Sequence, residues 1–381
     1  MKNDNVAILD FGSSKITCMA ATKVSDKGDF IIKAVGQSMY NGFDDKSFYE
    51  PETIKSAVLG AIAQVENKTK TTIKDIFVGV PGVFCAVSTS ESSLTFHSKK
   101  KVGKDDVNEL IDKADIFGCG EDFVSLGGKP SYFILDDAIK TVDPVGNIVN
   151  KLTALVSFSF MKKYFRDIVS PILLKKGIKN ITYLNTCDAQ ALYCARSMFI
   201  GDYAMVIDVG HLTTNVSLVS GNAILFQRTF ALGSGYLSGD ICQVLGCDFK
   251  FAVSALEKIN LNLEIQEGDA YSVNGRMIDA KQANEIVKAR IGQIAQYVIK
   301  SFSYCDKEIP VTTPIILTGG GLTSLRGGAD CLAYYLGKQI KVYDSLNPQT
   351  KRNAYTSCYG LIAEAVKTNK NKGGFWALFK K

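Results

Sequence analysis

The sequence predicts an α/β protein built from two related lobes, and three observations lead to this prediction. Two segments share one order of elements: an apolar strand ending in Asp-x-Gly, a polar loop, a second strand, a tight turn and a third strand. Their aspartates, Asp10 and Asp208, lie far apart in a chain of 381 residues, a length that suits two domains. Late in the chain, a strongly apolar strand pattern runs into three glycines, Gly319, Gly320 and Gly321.

The two Asp-x-Gly segments predict a pair of phosphate-binding loops. They read AILDFGSSKITCMAA and MVIDVGHLTTNVSLV. Each turn leaves several backbone N–H groups aimed in one direction, which suits an anion, and small hydroxyl side chains add donors. One such loop alone would be interpreted as an ordinary β-hairpin, but two copies in matching contexts favour phosphate binding. The predicted phosphate contacts are Gly12, Ser13, Ser14, Lys15, Gly210, Thr213 and Thr214.

The remaining parts of a nucleotide site follow from these loops. Asp10 and Asp208 are the candidates to hold Mg²⁺ through its waters, because Mg²⁺ dehydrates reluctantly. The three glycines allow the backbone to approach adenine or the ribose–phosphate edge closely. We therefore expect ATP and Mg²⁺ as cofactors. Two phosphate loops and a late glycine loop resemble the pattern of the actin, Hsp70 and sugar-kinase superfamily, which implies a two-lobed actin-like ATPase fold with ribonuclease-H-like lobes.

The stretch over residues 80–160 narrows this resemblance. It contains VGVPGVFCAVSTSESSLTF and SYFILDDAIKTVDPVGN, in which Asp-Pro-Val-Gly is a strong turn signal. The stretch resembles subdomain 1C of the bacterial cell-division FtsA family, which replaces subdomain 1B of actin. The resemblance implies residues 1–83 and 161–200 for subdomain 1A, 84–160 for 1C, 201–235 and 305–366 for 2A, 236–304 for 2B, 367–374 for a linker and 375–381 for an amphipathic membrane-targeting helix.

The chain departs from the superfamily pattern where the attacking water would be positioned. Many relatives carry Glu or Gln before a proline where this chain has Cys187. Asp188 and Gln190 are the candidate substitutes. We therefore expect ATP to bind, and its hydrolysis to be slow or absent.

The resemblance also implies nucleotide contacts outside the three loops. Gly233 and Gly235 open the segment that is similar to the start of subdomain 2B. The helix positions that usually hold a ribose-contacting Glu and Lys carry apolar residues here. Glu257 and Lys258 lie beside those positions and are the candidates to compensate.

Composition argues against several classes of function. No apolar run approaches the roughly 20 residues that a spanning helix needs, and the first residues leave no room for a signal peptide, so we expect the chain in the cytosol. Two histidines and the lack of a CxxC pair make a zinc site improbable. Five lysines follow Val366. Without them the chain has 39 basic and 38 acidic residues, which argues against a nucleic-acid-binding face.

The last residues suggest a membrane anchor. In a helix, Phe375, Trp376, Leu378 and Phe379 would form one apolar stripe, and Lys380 and Lys381 flank it. This composition suits an interfacial helix on anionic lipids. The alternative is a terminal segment that docks onto its own protein.

The FtsA resemblance implies an ATP-binding, polymer-forming membrane adaptor that acts on the cytoplasmic face of the membrane at the division site. The implied partners are the C-terminal tail of FtsZ, further copies of the chain in an actin-like filament, anionic lipids and downstream division proteins. Subdomain 2B would hold the FtsZ tail, and Arg290 is the candidate contact, with ordinary surface solvation as the alternative. Two other functions stay open: an actin-like adaptor of the pilus-assembly type, and a sugar or acid kinase.

Overall fold

The computed structural model describes residues 5–25, 28–44, 46–118, 120–196, 203–345 and 347–368. The first half forms β1 (Asn5–Phe11), β2 (Lys15–Lys23), β3 (Phe30–Met39), α1 (Pro51–Thr69), β4 (Asp75–Val80), β5 (Cys85–Lys101), α2 (Lys104–Ala114), β6 (Phe123–Leu135), β7 (Ile139–Thr141), β8 (Ile148–Lys162), α3 (Lys163–Lys176), β9 (Asn180–Asn185) and α4 (Thr186–Cys194). The second half forms β10 (Tyr203–Val209), β11 (Thr214–Ser220), β12 (Ala223–Phe230), α5 (Gly235–Leu245), α6 (Phe249–Lys258), β13 (Ala270–Val273), β14 (Arg276–Asp279), α7 (Ala280–Phe302), β15 (Ile315–Thr318), α8 (Gly320–Thr323), α9 (Gly328–Leu336), β16 (Ile340–Val342) and α10 (Thr356–Thr368).

Two five-stranded sheets share one topology, which confirms the predicted pair of related lobes. Their strand orders are β3-β2-β1-β4-β9 and β12-β11-β10-β15-β16. In each sheet three antiparallel strands are followed by two parallel ones. The register repeats as well, because Asp10 pairs with Thr17 and Asp208 pairs with Asn215. Both aspartates therefore stand at the same place in their lobes.

A four-stranded sheet of order β5-β8-β6-β7, covered by α2, has a hydrophobic core of its own. It also contacts the second lobe through the β11–β12 turn. The backbone N–H of Asn222 donates to the carbonyl of Ser131 at 2.9 Å, and Ser157 Oγ donates to the carbonyl of Ile224 at 2.6 Å. Gly221, at the centre of this turn, has a φ of +56°, which favours glycine. This sheet is thereby held against both lobes.

Helices α4 and α10 cross in the core that joins the two lobes. Leu361, Ile362 and Val366 of α10 are fully buried there. Gly360 lies at the crossing, where a Cβ would overlap the backbone of Ala189. A glycine at this point lets the two helix backbones approach closely.

The second lobe carries a group of elements above its sheet. Helices α5, α6 and α7 and the β13–β14 hairpin share one core with β10 and β15. Among the described residues, no helix is both long and apolar enough to cross a lipid bilayer.

We predict opposite effects of Gly→Ala at two helical glycines. Gly360→Ala should lower thermal stability, with a cost of about 1–3 kcal/mol for overpacking, because its methyl group has no room beside Ala189. Gly239→Ala in α5 is the matched control. It meets no atom within 4 Å and should raise stability by up to ~1 kcal/mol through helix propensity. Calorimetry of both variants measures this; equal shifts would contradict the close crossing of α4 and α10.

Candidate functional site

The first predicted loop joins β1 to β2 and is held by backbone contacts on both sides. The hydroxyl of Tyr40 donates to the carbonyl of Gly12 at 2.7 Å, and the backbone N–H of Tyr40 donates to the carbonyl of Ser14 at 3.3 Å. Lys15 begins β2, and its Nζ lies 5.1 Å from the centroid of the Tyr355 ring, a cation–π distance. The loop therefore has a fixed shape and a cation beside it.

The second predicted loop joins β10 to β11 in the same way. The N–H of Gly210 donates to the carbonyl of Thr213, and the N–H of Ser234 donates to the carbonyl of Gly210, both at 2.9 Å. The N–H of Leu212 donates across the cleft to Ser13 Oγ at 2.9 Å. This hydrogen bond brings the two loops, 199 positions apart in sequence, onto the two sides of one cleft.

The glycine loop packs directly on the second loop. Gly319 has a φ of +86°, and a Cβ there would overlap Asp208 Oδ1. A Cβ on Gly321 would lie 2.6 Å from the carbonyl oxygen of Val209. No residue with a side chain fits either position without a shift of the backbone, so these two glycines let the loop close the end of the cleft.

Asp10 and Asp208 face the same cleft with few compensating partners. Ser357 Oγ donates to Asp10 Oδ2 at 2.8 Å, while Asp10 Oδ1 is buried with no hydrogen-bond partner among the described residues. Asn215 Nδ2 donates to Asp208 Oδ2 at 3.1 Å. Burial raises the pKa of Asp10, and burial together with the charge of Asp10 raises the pKa of Asp208 to about 6. A cation between them would relieve both effects.

A cavity of about 320 Å³ collects most of the predicted site residues. Those that line it are Asp10, Gly12, Ser13, Ser14, Lys15, Gln190, Asp208, Gly210, Thr213, Gly319, Gly320 and Gly321. Gln190 Nε2 donates to Thr356 Oγ1 at 2.8 Å, and a hydrogen bond from the Gln190 side chain counters part of the rise in the pKa of Asp208. Cys187 also lines the cavity, and burial raises the pKa of its thiol, which therefore stays protonated and cannot act as a base.

Three of the predicted residues support the second loop from outside the cavity. Thr214 Oγ1 donates to the carbonyl of Leu232 at 2.6 Å. A Cβ on Gly233 would overlap the carbonyl oxygen of His211, and the N–H of Gly235 donates to that same oxygen at 2.7 Å. These residues shape the loop rather than contact what the loop would hold.

Asp188, Glu257 and Lys258 are not brought into the cavity. Asp188 forms an ion pair with Lys129 at 2.6 Å on the far side of α4. Glu257 and Lys258 are exposed on α6. The side chain of Asp188 is drawn away because the four-stranded sheet supplies a lysine there.

Several residues that line the cavity were not predicted. They are Phe11, Thr17, Phe43, Pro81, Gly82, Thr186, His211, Asn215, Thr229, Ser234, Asn353, Ala354 and Ser357. The Pro81-Gly82 turn after an apolar strand was a usable signal. Ser357 was not, because its role depends on α10 beginning beside Asp10, 347 positions earlier in the chain.

Arg290 lies on α7, beside a separate cavity of about 600 Å³ between α5, α7 and α9. Its Nε and Nη2 bind Asp240 Oδ2 and Oδ1 at 2.6 and 2.5 Å, a bidentate pair. The predicted membrane residues, 375–381, lie outside the described part of the chain.

Sequence comparison finds relatives over most of the chain. The cell division protein FtsA of Streptococcus pneumoniae is 23% identical over 351 residues, which cover 88% of this chain and 74% of that protein. FtsA of Enterococcus faecalis is 22% identical over 382 residues, which cover 95% and 83%. No protein-family model matches the sequence.

Structural comparison finds the same fold in solved structures. A chain of the PilM–PilN type IV pilus biogenesis complex has a TM-score of 0.64 at 14% identity, and the match covers 96% of this chain and 99% of that one. MreB 5 of Spiroplasma citri bound to AMPPNP has a TM-score of 0.58 at 11% identity, with 98% and 100% covered. The predicted two-lobed actin-like fold and the resemblance to FtsA are thus confirmed: the chain has an actin-like fold, and its sequence relatives include the FtsA cell-division proteins.

Proposed function

We propose that this chain is an ATP-binding, polymer-forming adaptor of bacterial cell division that tethers FtsZ filaments to the cytoplasmic membrane. The observation that carries the nucleotide part is the meeting of two like phosphate loops across one cleft, linked by the Ser13–Leu212 hydrogen bond. The cell-division part is supported by the FtsA proteins among the sequence relatives.

ATP would bind with its phosphates between the two loops. Backbone N–H groups and the hydroxyls of Ser13, Ser14 and Thr213 are the donors, and Lys15 supplies a positive charge. The glycine loop, with Asn353 and Ala354 beside it, would receive the adenosine. The related structure of MreB 5, which is bound to AMPPNP, supports a nucleotide in this fold.

Mg²⁺ fits the acidic end of the same cavity. Asp10 and Asp208 offer hard oxygen ligands, and one of these oxygens, Asp10 Oδ1, is buried with no hydrogen-bond partner in the described part of the chain. The ion would neutralise phosphate charge. The two carboxylates would hold it, and Ser357 and Asn215 orient those carboxylates through the hydrogen bonds described above.

ATP hydrolysis is proposed to be slow. Two residues of the expected water-positioning segment line the cavity: Cys187, whose thiol stays protonated, and Gln190, whose amide nitrogen is held by Thr356 and Asp208. Asp188 is held by Lys129. A bound nucleotide would then act mainly as a structural switch for the filament.

The FtsZ tail is proposed to bind at residues 234–302. The groove beside α5 and α7 supports this proposal, because it is open and contains the Arg290–Asp240 pair. An acidic peptide could share the guanidinium of Arg290 or compete with Asp240 for it.

The membrane role is proposed from the terminal residues 375–381. A pilus-type adaptor is the second candidate function, because the chain shares its fold with PilM.

We predict that ATP binds only with Mg²⁺ and depends on Lys15. Lys15→Ala should weaken ATP binding at least tenfold, about 1.4 kcal/mol, because it removes the cation from the cleft. Lys33→Ala removes the same charge from an exposed position on β3 and should change affinity less than twofold. Isothermal titration measures both. A parent protein that binds no adenine nucleotide in the presence of Mg²⁺ contradicts the proposal.

We predict a pH-dependent stabilisation by Asp208→Asn in the nucleotide-free protein. The pKa of Asp208 is raised, so the folded state holds the proton more tightly than the unfolded state, and stability falls as pH rises from about 4 to about 6. Above pH 6 the buried charge is a constant cost, which the variant removes. Its melting temperature should exceed the parent's at pH 8, and the difference should shrink toward pH 4. Asp306→Asn, at an exposed carboxylate, is the control and should show no such trend.

We predict that Trp376→Glu releases the protein from anionic vesicles and leaves ATP binding intact. A charge in the apolar stripe opposes burial of side chains that are worth up to ~1.5–3 kcal/mol each when fully buried. Tyr334→Glu, which places the same charge at an exposed aromatic residue of α9, should still float with the vesicles. If Trp376→Glu floats like the parent, the terminal segment is not the anchor.

A further inference from the structure

On one side of the first lobe, the five-stranded sheet of that lobe and the four-stranded sheet lie with their outer strands next to each other. Strand β9 is the last strand of its sheet, with β4 as its hydrogen-bonded neighbour. Strand β6 pairs with β8 on one side, but on its other side β7 covers only Phe133 to Leu135. Among the described strands, residues 124–129 of β6 and the outer side of β9 therefore have no strand beside them. We call the space between these two edges the edge groove.

The edge groove is a cavity of about 700 Å³. Its walls include every residue from 179 to 185 and every residue from 124 to 129, so both strand edges face it along their length. Free strand edges carry backbone N–H and C=O groups in a row, which recruit an added strand. Cα atoms of β6 and β9 approach within 8 Å of each other, less than the ~9.6 Å that an inserted strand needs between its two neighbours, so an added strand would pair with one of these edges.

Apolar residues lie on both faces of the edge groove, among polar ones. On one face Val124, Leu126 and Tyr183 pack against the core of the first lobe. On the other face Phe77 and Leu184 pack against the core around α4 and α10. A strand paired with β9 in this groove would be covered on both sides. Such a strand needs consecutive apolar residues rather than the alternation of a half-exposed strand.

The chain's own terminal sequence has this pattern, and it starts at the edge groove. Residues 375–379 read Phe-Trp-Ala-Leu-Phe, five apolar residues in succession. Glu364 and Thr368 of α10, the last described helix, line the groove. The six residues 369–374 link Thr368 to residue 375 and reach at most ~20 Å when extended. The six-residue strand β9 is also ~20 Å long, so this linker can span the length of the strand.

Charge does not favour the basic terminal segment at this site, because Arg166 and Lys179 also line the groove. Lys129, in the wall of the groove, is bound by Asp188 at 2.6 Å and by Glu364 at 3.0 Å. Lys129 and Lys367 hold the pKa of Glu364 down to about 2, so the cluster stays fully paired at neutral pH. The lysines of the terminal segment therefore meet carboxylates that are already neutralised. Apolar contact and backbone hydrogen bonds must supply the affinity.

We propose that residues 375–379 dock in the edge groove as a strand paired with the free edge of β9 when no membrane is present. This proposal rests on the proposed membrane role of the same residues. Their five side chains cannot be buried in the groove and in lipid at the same time. Docking competes with membrane insertion and keeps the isolated protein off the membrane. Insertion frees the groove, so membrane attachment would open a strand-accepting edge.

Trp376 makes this proposal directly measurable, because it is the single tryptophan of the chain. In lipid-free solution, its emission should be blue-shifted and its quenching by acrylamide several-fold weaker than in the peptide of residues 369–381. Thr182→Arg fills the groove from an exposed position of β9 and should restore peptide-like quenching. Leu174→Arg adds the same side chain at an exposed site on α3, outside the groove, and should leave Trp376 protected.

Leu126→Glu, from the opposite wall, is the second groove variant, with circular dichroism to verify its fold. If acrylamide quenches Trp376 freely in the parent protein, the terminal segment does not occupy the groove and the proposal is overturned. The groove would then be a site for a strand from another chain. A Trp376 that stays protected in both groove variants would show docking elsewhere, with the same consequence. Protection should persist at 1 M salt, where attachment to anionic vesicles weakens. Because these measurements contain no lipid, they stand even if flotation disproves the membrane anchor.

Discussion

Two carboxylates of like charge facing one cleft are the constraint on which the rest of the site depends. Asp10 and Asp208 occupy equivalent positions of the two lobes, so the symmetry of the fold itself brings their charges together. Burial raises the pKa of both, and their mutual repulsion raises that of Asp208 further. The donors Ser357 and Asn215 offset only part of this cost. The cleft is therefore prepared for a cation, and a phosphate-rich ligand would bring one.

The elements around the carboxylates serve to bring three loops within reach of one ligand. The Ser13–Leu212 hydrogen bond joins the phosphate loops, and the glycines at 319–321 let the third loop lie on the backbone of the second. Helices α4 and α10 pack where the lobes meet, with Gly360 at their crossing. The same two helices contribute other residues to the edge groove, so the proposed nucleotide and terminal-segment sites lie on different faces of α4 and α10.

Repeated local pattern explains which features were predictable from sequence. The Asp-x-Gly segments predicted two related lobes, and the two sheets do share one topology. The predicted residues of the two loops, apart from Thr214, line one cavity. Roles that depend on distant partners were not predictable. Asp188 turns away because Lys129, 59 positions earlier, binds it, and Arg290 is paired with Asp240 across 50 positions. The contribution of Ser357 likewise depends on where α10 begins relative to β1.

A crystal structure of the chain grown with AMPPNP and Mg²⁺ tests the central claim most directly. The account predicts density for the triphosphate between Ser13–Lys15 and Gly210–Thr213, with a metal ion at Asp10 and Asp208 and the adenosine against the glycines at 319–321. Nucleotide bound elsewhere, or a cleft that stays empty at saturating nucleotide, would contradict it.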